Sequence, residues 1–199
     1  FTDHGKMFRS NEIGVQDSID PSLLQYGGRN YLVWGSFRGI YVIELTADGL
    51  SIMPGAKKKR IAGTAFEAVY IHKHGDYYYM FASIGSCCQG VKSTYKVVVG
   101  RSKKVWGPYK DKTGKPMLKN GYSLVIGAND HFVGNGHGSQ IIQDDAGQDW
   151  LLYHGFSRST PENGRILLLD QIKWDQEGWP YVEGGSPSYE TQKAPVFNN

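Results

Sequence analysis

The chain has 199 residues, 40% hydrophobic and 21% charged, and 22 Lys and Arg against 19 Asp and Glu leave a formal net charge of +3. The length suits one domain, the apolar content excludes general disorder, and the longest apolar runs, such as Val97-Val98-Val99, fall far short of the roughly 18 residues of a membrane helix. The charge is too small to point to a nucleic-acid partner, while 26 Gly, 13 Tyr, 8 Phe and 5 Trp favour many short strands joined by tight turns.

The first six residues, Phe1 to Lys6, show neither a basic region nor an apolar core, so no signal peptide is read there. Asp20-Pro21-Ser22-Leu23-Leu24 leads through Gly27-Gly28 into Tyr31-Leu32-Val33-Trp34-Gly35-Ser36. The basic run Lys57-Lys58-Lys59-Arg60 follows Pro54-Gly55 and reads as a solvated loop without function. Glu67-Ala68-Val69-Tyr70-Ile71 then leads through His74-Gly75-Asp76 into Tyr77-Tyr78-Tyr79-Met80-Phe81-Ala82. Asp20 to Gly28 and Glu67 to Gly75 are both steps of eight residues. Cys87 and Cys88 are the only cysteines; they make no disulfide framework and lack the second pair of a zinc site. A third copy of the pattern runs from His137-Gly138-Ser139 through the turn 144–148 into Asp149-Trp150-Leu151-Leu152-Tyr153-His154.

Each copy reads as two strands joined by a hairpin. Further strand candidates follow at 39–45, 93–100 and 165–174, so the repeating unit is a four-stranded antiparallel sheet. The class is all-β, and radial repetition of such sheets is a β-propeller; approximate units are 11–60, 61–120 and 121–199. A β-sandwich is the alternative, but it leaves unexplained why the first strand of each unit opens on a polar residue. In a propeller the innermost strands line a central channel. Asp20, Glu67 and His137 take equivalent places in the repeat, which predicts two carboxylates and an imidazole facing one another across a pocket.

Paired carboxylates with aromatic residues suggest glycoside hydrolysis. Glu67, between Thr64-Ala65-Phe66 and Ala68-Val69-Tyr70, has the apolar setting that lets a carboxyl hold a proton, and is the better acid. A lone His137 equally suits a structural role. Gly134, Gly136 and Gly138 could let backbone approach a ligand, but without a following Lys-Ser they are a weak phosphate signal.

The segments 18–24, 31–45, 61–71, 85–109, 134–155 and 167–182 resemble glycoside hydrolase family 43, and within it the endo-1,5-α-L-arabinanases. The resemblance implies a five-bladed propeller, of which this chain covers about three blades, from the end of the second to the fifth. It implies an inverting hydrolase of α-1,5-linked arabinan or arabino-oligosaccharides, extracellular or periplasmic. Glu67 matches the general acid, Asp20 the aspartate that tunes it, and His137 the histidine beside a calcium ion held largely by water. Trp34, Phe37 and Arg38 fall where the family lines its sugar groove. Phe1 to Ser10 reads as the last strand of the second blade. Val69 stands where a proline is usual, and Asn135 and Gly138 depart from the usual histidine motif. The family's general base is an aspartate of the first blade, so the resemblance implies a base outside these 199 residues and a chain that associates with the missing blades or with itself. The alternatives are a non-catalytic carbohydrate-binding fragment and a family 43 xylosidase or arabinofuranosidase.

Overall fold

The computed structural model describes residues 2–198. Its first sheet pairs β1 (Ser22–Tyr26), β2 (Arg29–Trp34), β3 (Ile40–Glu44) and β4 (Lys59–Ala62) in chain order. The second does the same with β5 (Glu67–His74), β6 (Tyr77–Ile84), β7 (Lys96–Ser102) and β8 (Ser123–Ile126). In the third, β9 (Phe132–Gly136) and β10 (Ile142–Gln143) both pair with β11 (Asp149–Ser157), which leads to β12 (Arg165–Trp174) and β13 (Pro180–Tyr181). Every pairing is antiparallel. The sheets therefore end at Ala62, Ile126 and Tyr181.

The middle sheet is buried on both faces, and side-chain alternation along its strands builds both cores. On β6, Met80, Ala82 and Ile84 pack toward the first sheet with Val33, Ile40, Val42 and Ile61. Tyr79 and Phe81, which alternate with them, pack the other way with Leu151, Tyr153 and Ile172 of the third sheet. Burying an aromatic such as Phe81 contributes about 1.5–3 kcal/mol, so these strands set the order of the sheets. The two outer faces differ. Leu32, Trp34, Tyr41 and Ile43 of the first sheet are covered by Phe8, Ile13 and Val15. On the third sheet Ile142, Leu167 and Leu169 are 42%, 74% and 38% exposed.

Three expectations change. Residues 2–9 form no strand, and Ser10–Ile13 is one helical turn, with Phe8 and Ile13 drawn onto the apolar outer face of the first sheet instead; Phe1 lies outside the described residues. Lys59 and Arg60 are not loop but the start of β4, where Arg60 Nε donates to the Ala62 carbonyl. The innermost strand of the third sheet is interrupted from His137 to Ile141, where His137 adopts a φ of +53°. Ser139 keeps it in register, since its N–H donates to the Leu152 carbonyl over 2.7 Å.

Candidate functional site

The three innermost strands each carry a non-glycine residue in the left-handed region: Asp20 at φ +55°, Ala68 at +51° and His137 at +53°. Such residues sit at β-bulges, which re-aim side chains at strand ends. Counting back from the hairpins shows the true equivalence. Tyr26 pairs with Arg29 and His74 with Tyr77, so Asp20 is six before its turn and Ala68 six before its own. Asp20 and His137 are thus equivalent, but their partner in the second sheet is Ala68. Glu67 stands one residue earlier, and a one-residue shift sends a strand side chain to the other face.

That offset creates the local geometry. Asp20 Oδ2 accepts the Ala68 N–H over 3.0 Å, so it grips the backbone beside Glu67. Glu67 is buried, at 9% exposure, and its Oε2 accepts the Ser36 hydroxyl over 2.8 Å. Ser36 gets there through Gly35, whose φ is +124° and where a Cβ would lie 2.3 Å from the Gly39 carbonyl oxygen. Ser83, paired with Glu67 across β5 and β6, accepts the His137 N–H over 2.8 Å. His137 Nε2 lies 3.8 Å from Asp20 Oδ1, with the imidazole half exposed. The third sheet thereby meets the first at one point, as converging inner strands require.

A cleft of about 600 Å³ opens here, lined by Asp20, Ser22, Tyr70, His137, Ser139 and His154 among others. Asp20 is the only carboxylate on its walls among the described residues. The glycines near His137 have a packing reason rather than a phosphate one: a Cβ on Gly136 would lie 2.2 Å from the Tyr95 ring. Residue type alone gives no signal for Tyr95. Burial, and after it the neighbouring Glu67, push its hydroxyl well above the ordinary phenol value, so it stays protonated beside Glu67.

The proposed groove residues separate. Trp34 is 1% exposed, donates its indole N–H to Ser18 over 3.2 Å and packs on Phe8 and Tyr41; it is core, not groove, because the N-terminal segment covers that face. Phe37 is half-buried and Arg38 exposed, on the β2–β3 connection beside Ser36. Arg38 Nε is 3.6 Å from Asp17 Oδ2. Cys87 and Cys88 are disulfide-bonded to each other.

His154 lies behind His137, its ring stacked against Tyr95 at 5.7 Å and His137 at 6.2 Å, with both ring nitrogens buried and unpartnered. Burial, then the charges of Arg165 and His137, push its pKa down to about 4. The fold therefore favours the neutral ring, whereas the unfolded chain takes up a proton near 6.5. The stability contributed by the neutral ring is complete above about pH 6.5 and is lost as pH falls toward 4. The thermal midpoint should drop across that window, and His154→Phe should reduce the drop; an unchanged pH dependence in the variant would refute this origin.

Comparison with known proteins adds the family. The model of glycosyl hydrolases family 43 matches residues 1–180. The chain is 47% identical over 184 residues to the extracellular exo-α-(1→5)-L-arabinofuranosidase ArbA of Cellvibrio japonicus, covering 84% of this chain and 52% of that protein. It is 36% identical over 186 residues to the extracellular endo-α-(1→5)-L-arabinanase 1 of Bacillus subtilis, covering 89% and 54%. Among solved structures it resembles the α-L-arabinanase of Cellvibrio cellulosa complexed with arabinohexaose, with a TM-score of 0.77 and 36% identity over 84% of this chain and 57% of that one. The chain spans about half the length of these curated relatives. With a match over most of its length and three consecutive antiparallel sheets as blades of a five-bladed propeller, the chain belongs to glycosyl hydrolases family 43.

Proposed function

We propose that these residues form the proton-donating half of a glycosidase site that cleaves α-1,5-linked arabinan with inversion. The carrying observation is the buried Glu67, held by Ser36 and flanked by Asp20 through the Ala68 N–H. Because Oε2 already accepts the Ser36 hydroxyl, Oε1 is the oxygen that carries the transferable proton. It passes to the glycosidic oxygen as the bond from that oxygen to the anomeric carbon breaks. A water adds to the opposite face of the sugar and gives its proton to a carboxylate. In an inverting enzyme that base stands about 6.5–9.5 Å from the acid. Asp20 Oδ2 holds the Ala68 N–H beside Glu67, the tuning place that the family resemblance gives it, and the base is assigned to another carboxylate of the complete site. The exposed Ile142, Leu167 and Leu169 face is where further blades, or a second copy, would pack. Phe37 and Arg38 are assigned to the sugar groove. The location is extracellular, as the names of the two curated relatives are.

A calcium ion at His137, which the resemblance implies, fits these residues poorly. Calcium takes six to eight oxygen ligands, whereas His137 offers a nitrogen with Asp20 Oδ1 3.8 Å away.

Asp20→Asn tests the positioning carboxylate. The amide oxygen can still accept the Ala68 N–H, but the charge is gone. Activity of the complete protein on linear arabinan should fall roughly 10²-fold. An unchanged rate would remove Asp20 from the mechanism.

A further inference from the structure

Three ligating side chains meet between the second and third sheets, away from the cleft. His72 and His74 are two apart on β5 and so project from the same face; Asp149 opens β11. All three offer ligand atoms within 4.8 Å of one another, and His74 Nδ1 is 3.9 Å from Asp149 Oδ2. Trp174 of β12 frames the group. It stacks on His74 with ring centroids 3.7 Å apart and 7° between the planes, and on His72 at 6.0 Å. Its indole N–H donates to Asp149 Oδ2 over 2.7 Å, while Gln143 Nε2 donates to Oδ1 over 3.2 Å. A carboxylate oxygen has two lone pairs, so each keeps one for a further partner. Asp149 is 6% exposed, whereas the His74 side chain is 39% exposed, which leaves an open side toward solvent.

We propose that His72, His74 and Asp149 form a binding site for a late first-row divalent cation, with zinc as its type ion, that ties the second sheet to the third. Two imidazoles and one carboxylate are the donor set of such ions, while calcium and magnesium prefer oxygen-only shells. The site is separate from the acid: His72 is five residues along β5 from Glu67, roughly 16 Å at about 3.3 Å per residue. The proposal is independent of the glycosidase reading.

Nothing in the sequence pairs these residues, since Asp149 lies 75 positions after His74 and only the packing of β5 on β11 and β12 joins them. The test is calorimetric titration of the 199-residue chain, stripped with EDTA, with zinc chloride in a non-coordinating buffer. About one equivalent should bind and raise the thermal midpoint, and a tenfold excess of calcium or magnesium should not displace it. His72→Ala and the milder His74→Gln should each weaken binding at least about tenfold. Cobalt(II) should give visible ligand-field bands that His74→Gln removes. Absence of saturable binding, or binding unchanged in both variants, or binding lost in His137→Ala instead, would overturn the proposal.

Discussion

Glu67→Gln in the complete protein is expected to lower turnover of linear α-1,5-arabinan by roughly 10²–10⁴-fold, the usual contribution of a positioned proton donor. The change is nearly isosteric, and the new amide oxygen can still accept the Ser36 hydroxyl that Oε2 accepts now over 2.8 Å, so folding and sugar binding should survive. Only the transferable proton is lost. An aryl arabinoside whose leaving group departs without protonation separates the chemistry from mere disruption. On that substrate the loss should be far smaller, because the step that Glu67 assists is no longer demanding. Equal losses on both substrates would mean that Glu67 supports structure, and the acid would have to be sought elsewhere.

The second large effect concerns the chain by itself, which should release sugar at no more than the background rate. The base is assigned above to a carboxylate outside these residues, and without it the water opposite Glu67 has no partner to take its proton, which removes another factor of roughly 10²–10⁴. The acid is useless without a nucleophile on the other face of the ring.

Much of the architecture was legible in the residues because hairpin chemistry is local. Gly27-Gly28 and Gly75-Asp76 mark two-residue turns, and the alternation of Tyr79, Met80, Phe81 and Ala82 fits a strand buried on both faces. What escaped was the bulge. A left-handed Asp20, Ala68 or His137 leaves no signature in residue type, so matching Asp20 to Glu67 by spacing ran one residue out of register. The fold uses that slip: it puts a backbone N–H, rather than a side chain, opposite Asp20. Trp34 lies in the core, away from the groove that the resemblance implies, for a related reason. An aromatic residue in a strand does not announce its face, and here Phe8, 26 positions earlier, closes over the face that carries it. Tyr95 and the His72, His74 and Asp149 group depend on contacts between sheets, which no local pattern encodes.

The most direct test of the account is reducing-end release from linear α-1,5-arabinan, measured side by side for this chain and for the complete protein that contains it. Intact mass must show each preparation free of longer or shorter species. The account predicts turnover by the complete protein, abolished by Glu67→Gln, and only background release by the 199-residue chain. Robust release by the chain alone would contradict it, because a water-activating base would then have to lie among these residues.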